Sequence, residues 1–251
     1  MRLDLDFGNS AIKAQLSLAA EIQPVALFSS VQHLMQHYAD YPIEIIAVLP
    51  VAADRNLIIE LNQWAQRKFN IHPVYAEVEH QACGVTCCYD EPGQLGADRW
   101  AAMIAAYNHQ ESADINRLVI DCGTAITLDW LDHTGHHLSG VIIPGLTAAY
   151  FALEQKTGLR SDPPASNTNA VSALGKKTPD TKAAVNFGIE TMFNSFFRQQ
   201  IQITERFFNG AYLVYLTGGD AHYFNHYLPA DKLRYHADLT LQGLRLLLPQ
   251  V

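Results

Sequence analysis

The chain opens on alternation. Leu3, Leu5 and Phe7 take one face and Asp4 and Asp6 the other, which predicts a half-buried strand over 3–7. Gly8-Asn9-Ser10 interrupts it and an extended pattern resumes over 11–18, so a β-hairpin is expected. Residues 24–29 supply a third strand. Residues 43–49 are dense in apolar side chains, as a parallel strand covered on both faces must be. After Asp54 the period becomes helical, with Ile58, Leu61, Trp64 and Ala65 on one side. Strand character returns over 74–78. A turn-rich segment, 89–99, then leads into a helix whose Trp100, Ile104 and Tyr107 recur at helical spacing among small alanines.

Residues 108–116 are polar and mark the expected boundary, beyond which the opening replays. Leu118-Val119-Ile120 is an apolar strand, Asp121-Cys122-Gly123-Thr124 a turn, 125–131 a second strand, and 138–143 a third that ends at Pro144-Gly145. A short helix over 147–155, a Pro-, Ser- and Asn-rich surface loop over 156–170 and a long helix over 181–208 follow. A strand over 213–216 ends in Thr217-Gly218-Gly219-Asp220, and an apolar helix over 239–248 closes the chain. Two related halves, 1–115 and 116–251, place Asp6 and Asp121 at equivalent positions. The expected class is α/β, with two lobes facing one cleft.

Composition narrows the function classes. With 49% hydrophobic and 17% charged residues in 251, the chain can bury a proper core. A net charge of −8, with 17 scattered Lys and Arg, argues against a dedicated nucleic-acid binder. Acids at Asp4 and Asp6 occupy the stretch where a signal peptide needs apolar residues, and the most apolar run, 43–53, contains Glu44 and Pro50. The expectation is a cytoplasmic protein without membrane attachment. Cys83, Cys87, Cys88 and Cys122 fit that compartment as reduced thiols, and no nearby Cys or His pair completes a zinc site with the first three.

Three glycine turns follow predicted strands: Asp6-x-Gly8-Asn9, Asp121-x-Gly123-Thr124 and Thr217-Gly218-Gly219. Glycine lets backbone approach a phosphate closely, turn N–H groups can face its oxygens, and an acid at the strand end can hold a cation nearby. One such turn is more often an ordinary hairpin; three, two of them in a repeat, favour a nucleotide phosphate. Neither the P-loop nor the dinucleotide Gly-x-Gly-x-x-Gly pattern stands at a strand–helix junction. Lys13 on the second strand reads by itself first as a solvated edge lysine and second as a phosphate contact. Asp98, behind Gly96, reads as a helix N-cap or as a carboxylate that accepts a proton from a substrate hydroxyl. His133, His136 and His137 are expected as exposed loop histidines, as are His222, His226 and His236.

Taken together these residues resemble the type III pantothenate kinase family, of the actin/Hsp70/sugar-kinase superfamily, and the motif order holds along nearly the whole chain. Asp6-Phe7-Gly8-Asn9-Ser10-Ala11-Ile12-Lys13 is similar to the family's first phosphate hairpin, and Gly96-Ala97-Asp98-Arg99-Trp100 to its substrate segment. Asp121-Cys122-Gly123-Thr124-Ala125-Ile126-Thr127 is similar to its second phosphate turn; Gly140 to Gly145 and Leu216-Thr217-Gly218-Gly219 also match. The resemblance implies a duplicated, ribonuclease H-like fold around an ATP cleft. It further implies transfer of phosphate from ATP, with Mg2+, to pantothenate.

By that resemblance Asp98 is the general base, Arg99 fixes substrate and base, Gly96 and Ala97 line the pocket, and Tyr89 stacks over it. Residues 6–13, with Thr124, hold ATP, and Asp121 binds a monovalent cation, K+ or NH4+. Thr181, with Ala184 and Gly188, fits a Thr-x-x-Ala-x-x-x-Gly pattern that reaches the neighbouring subunit's pantothenate in a homodimer; Thr178 is the alternative. Ser10 stands where the family has threonine, and Ser139 where it has glycine. The rival expectations are a non-catalytic nucleotide-binding accessory protein of the same fold, and a kinase for another small hydroxy compound.

Overall fold

The computed structural model describes residues 1–8, 11–18, 21–50, 55–109, 114–159 and 179–249. Asn9 and Ser10 of the first turn, Thr178, and residues 160–170 of the expected loop lie outside them. The alternating start forms β1 (Arg2–Phe7) and β2 (Ile12–Leu18), followed by the short β3 (Glu21–Ile22) and β4 (Ala26–Phe28). Next come α1 (Val31–Tyr38), β5 (Ile45–Leu49), α2 (Arg55–Phe69), β6 (Val74–Tyr75), a small hairpin of β7 (Gln81–Ala82) and β8 (Val85–Thr86), and α3 (Ala97–Asn108). Helix α1 has no counterpart among the expected elements; it is short, and its start is set by the Ser30 hydroxyl, which accepts the His33 N–H at 3.2 Å.

The second half supplies β9 (Asn116–Cys122), β10 (Ala125–Leu131), β11 (His137–Pro144), α4 (Leu146–Thr157) and α5 (Thr181–Phe207). It continues with β12 (Tyr212–Thr217), α6 (Ala221–Phe224) and β13 (Leu233–Tyr235), and the chain's last helix is α7 (Leu239–Leu247). The first sheet runs β3-β2-β1-β5-β6 and the second β11-β10-β9-β12-β13. In each, the first strand pairs antiparallel with the next (β1 with β2, β9 with β10) and parallel with a later one (β5 and β12). This mixed order, built twice, is the ribonuclease H-like fold of actin-like ATPases.

Two compact units result. One comprises Met1–Gln110, Thr134–His137 and Asp238–Val251; the other comprises Glu111–His133 and Leu138–Ala237. A single cut at residue 115 therefore does not describe the partition. Helix α7 returns to the first unit because Leu241 and Leu244 complete an apolar cluster with Ala47, Leu49 and Ala101. The backbones of α7 and α3 touch so closely at Gly243 that a Cβ there would collide with the Ala101 carbonyl. The main core of the first unit gathers Leu3, Leu5, Leu16, Leu34 and Ile46; that of the second gathers Leu118, Ile120, Phe193, Phe197 and Phe224. Each such side chain contributes roughly 1.5–3 kcal/mol of burial. Among the described residues no helix is long and apolar enough to cross a membrane.

Candidate active site

The first turn begins where β1 ends. Gly8 N–H donates to the Ala11 carbonyl at 3.1 Å, closing the hairpin. The cross-strand register sets Asp6 opposite Lys13 and Phe7 opposite Ile12. Asp6 is buried, with Lys13 Nζ 3.6 Å from its Oδ2 and the Thr240 hydroxyl donating to the same oxygen at 2.7 Å. Burial pushes its carboxyl above the ordinary value of 3.8; Lys13 and Thr240 oppose that shift, and the negative charge of Asp98 adds to it. Asp6 and Asp98, 92 positions apart, thus feel one another electrostatically.

Asp98 sits exposed in the first turn of α3, and Gly96 is the N-cap. Asp98 is therefore not the cap; its Oδ1 accepts the Arg99 N–H at 2.8 Å, and its charge complements the helix N-terminus. A Cβ at Gly96 would stand 2.5 Å from Asp98 Oδ1, so glycine there clears the carboxylate. Arg99 turns the other way and is buried, its Nη1 donating to the Tyr89 hydroxyl at 3.0 Å and its guanidinium 5.9 Å from that ring's centroid. Tyr89 in turn stacks with His137, centroids 6.1 Å apart and planes 17° from parallel. His137 Nδ1 lies 3.3 Å from Cys88 Sγ.

His137 corrects a sequence expectation. It is 3% exposed and opens β11 instead of decorating a loop; His133 and His136 are exposed as expected. Tyr89, 48 positions earlier, stacks on it, a contact that spacing does not reveal.

The second turn belongs to the other unit. Gly123 N–H donates to Ala125 O at 3.0 Å and Gly145 N–H to Thr124 O at 2.9 Å, leaving the Thr124 side chain exposed. Asp121 is flanked in register by Thr127 on β10 and Thr217 on β12. Thr217 is fully buried, and its hydroxyl has no hydrogen-bond partner among the described residues. Gly218, at φ 99°, passes so close to Asp121 that a Cβ would stand 2.5 Å from Oδ1. Burial and the charges of Asp121 and Asp220 raise the Cys122 thiol well above its ordinary 9.0. Thr181 is the first residue of α5, behind the cap Asp180, and shares an exposed face with Ala184 and Gly188.

Asp6, Lys13, Tyr89, Gly96, Ala97, Asp98 and Arg99 thus fall in one unit, and Asp121, Thr124 and Thr181 in the other. Among the described residues no three His, Cys, Asp or Glu side chains gather as a metal-binding group. A cation at Asp121 would need hydroxyl and carbonyl oxygens as well, and the unpartnered Thr217 hydroxyl beside it on the sheet suits that donor set. The sequence marks Thr217 only as part of its glycine turn and gives no sign of Thr240, since a lone threonine in an apolar segment carries no signal of its own.

A twice-built mixed sheet, with an Asp-x-Gly turn after the first long strand of each, is the fold shared by actin-like ATPases and sugar kinases. The model of the type III pantothenate kinase family matches residues 2–202. The chain belongs to that family. A type III pantothenate kinase of Pseudomonas savastanoi pv. phaseolicola is 32% identical over 260 aligned residues, which cover 99% of each chain. One from Idiomarina loihiensis is 34% identical over 182 residues, 71% of this chain and 67% of its own. Among solved structures, a protein described as a Baf family transcriptional activator from Campylobacter jejuni superimposes with a TM-score of 0.58 at 20% identity. That match covers 98% of this chain and 97% of the other, and it concerns the fold alone.

Proposed function

We infer that this protein phosphorylates pantothenate with ATP, giving 4′-phosphopantothenate and ADP, the first step toward coenzyme A. The observation that carries the reading is the pair of carboxylates Asp6 and Asp98, held in contrasting surroundings within a chain of this family. Asp98 is exposed, stands on a helix N-terminus and is aimed by its contact with the Arg99 N–H, which suits a base that must meet a substrate hydroxyl. Asp6 is buried beside Lys13, which suits a fixed element of a phosphate site. Arg99 and Tyr89, locked to one another, give the substrate pocket a rigid wall.

In this reading the primary hydroxyl of pantothenate gives its proton to the Asp98 carboxylate as its oxygen bonds to the γ-phosphorus, and the bond to the bridging oxygen of ADP breaks. Asp98 chiefly orients the nucleophile, because phosphoryl transfer passes through a loose transition state. Lys13, beside Asp6 on the first hairpin, offers the phosphates a cationic contact. Mg2+ accompanies ATP. Asp121 and the Thr217 hydroxyl would hold the monovalent cation, which would supply positive charge for phosphate binding. Thr181 reaches pantothenate from the second subunit of a homodimer; the exposed Thr181, Ala184 and Gly188 face and the exposed Met192 on the same helix support that assembly.

ADP release measured with ATP, Mg2+ and pantothenate, with and without K+, tests the function. Pantothenate-dependent release that needs K+ is expected, and Asp98→Asn is expected to lower turnover by about a hundredfold or more while ATP still binds. Release independent of pantothenate, or an unimpaired Asp98→Asn enzyme, would sink the assignment.

A further inference from the structure

The last helix of the chain does more than complete an apolar cluster. Thr240 lies in the first turn of α7, where no earlier helical carbonyl stands in reach of its hydroxyl, so the proton that a mid-helix threonine returns to its own backbone is available elsewhere. It is given to Asp6 Oδ2, at 2.7 Å, across 234 positions of chain. Thr240 is 0% and Asp6 6% exposed, so water has little room to replace the bond if it is lost.

The rest of α7 is held on three sides. Arg245 Nε donates to Asp4 Oδ2 at 2.9 Å, and its Nη2 donates to the Gln15 side chain on β2. Gln242 meets His109 at 2.9 Å just past the end of α3. Gly243 lies against Ala101, one turn beyond Asp98 on α3. One helix therefore touches both the strand that carries Asp6 and the helix whose first turn carries Asp98.

We propose that Thr240 is a positioning residue of the phosphate site: from the C-terminal helix it fixes the rotamer of Asp6, and α7 thereby sets the Asp6 carboxylate in a constant relation to the helix that carries Asp98. The proposal rests on the phosphate-hairpin role of Asp6 inferred above. A hydrogen bond to a buried carboxylate orients as well as stabilises, and valine, of the same shape, removes the bond without emptying the site.

Steady-state kinetics of the full-length enzyme, with unfolding midpoints in parallel, test it. Thr240→Val is expected to lower kcat/KM for ATP by about tenfold to a hundredfold and to leave the KM for pantothenate within about twofold. Thr240→Ser, which keeps the hydroxyl, is expected to stay within about threefold of wild type. Asp6→Asn combined with Thr240→Val is expected to be no worse than Asp6→Asn alone, as two members of one contact require. Gln242→Ala loosens the same helix away from Asp6; it is expected to lower the unfolding midpoint and leave the KM for ATP unchanged.

Should Thr240→Val fail to fold, Thr240→Ala against Thr240→Ser makes the same comparison. Wild-type ATP kinetics in the valine variant, equal losses in the serine and valine variants, or additive losses in the double variant would each overturn the proposal. Unaltered ATP kinetics in Asp6→Asn would instead overturn the phosphate-hairpin role beneath it.

Discussion

Asp6 stands opposite Lys13 across an antiparallel pair; Asp121, at the matching place in the second sheet, stands opposite Thr127. On their parallel sides the neighbours are Leu49 and Thr217. The first carboxylate is thus buried with its own ammonium, while the second is half-buried between two threonines. A pair of opposite charges at this range carries a gross attraction of about 4 kcal/mol at an effective dielectric of about 20. A threonine opposite Asp121 offers no such countercharge. The sheet order and the turn recur, and the residues on both flanking strands separate a carboxylate paired with an ammonium from one flanked by hydroxyls.

The sharpest way to break this comparison is at Asp121. Asp121→Asn is expected to cut turnover by about a hundredfold or more, with no recovery as K+ is raised. Thr127→Lys makes the second turn like the first, and its turnover is expected to depend much less on K+ than that of wild type. A Thr127→Lys enzyme whose K+ dependence matches wild type would show that the cross-strand residue does not decide where the proposed cation is needed. Titrating ADP release against K+ for both variants reads the two outcomes.

Next in size comes the contact of α7 with α3 in the first unit. Gly243→Ala drives a methyl group into the Ala101 carbonyl and is expected to cost about 1–3 kcal/mol, read as a lower midpoint in urea. An unchanged midpoint would mean that α7 and α3 separate at little cost.

The smallest effect concerns acidity. Burial raises the Asp6 carboxyl above 3.8, so the folded protein holds that proton more tightly than the unfolded chain does. As pH rises from about 3.8 through the folded value, this group therefore removes stability. Asp6→Asn, which has nothing to ionise, is expected to unfold at a higher temperature than wild type at neutral pH. That advantage should shrink as the pH falls toward 3.8. A variant with no such advantage at neutral pH would show that Lys13 and Thr240 fully offset the burial of Asp6.

Much of the fold could be read from periodicity. β1, β2, β5, β9 and β10 follow from alternation or apolar runs, and α2, α3 and α5 from helical spacing, because each buries a full face of side chains. α1, the β7–β8 hairpin and β13 escaped notice; elements of two to eight residues leave too few repeats for a period to emerge. The site divides similarly. Asp98 next to Arg99 declares itself by adjacency, whereas the buried stack of His137 on Tyr89 and the bond from Thr240 to Asp6 join residues far apart in sequence.

By itself the sequence determined the class, the two Asp-x-Gly turns and the segment that carries Asp98 and Arg99. Those properties are local, set by side-chain period, glycine and the order of a few neighbouring residues. Only the tertiary structure decided that the C-terminal helix belongs to the first unit, that Asp6 shares its oxygen with Thr240, and that Asp121 is flanked by threonines where Asp6 has a lysine. The physical reason is that a carboxylate's behaviour depends on burial and on which charges and hydroxyls lie within a few ångströms, and folding brings those groups from anywhere along the chain.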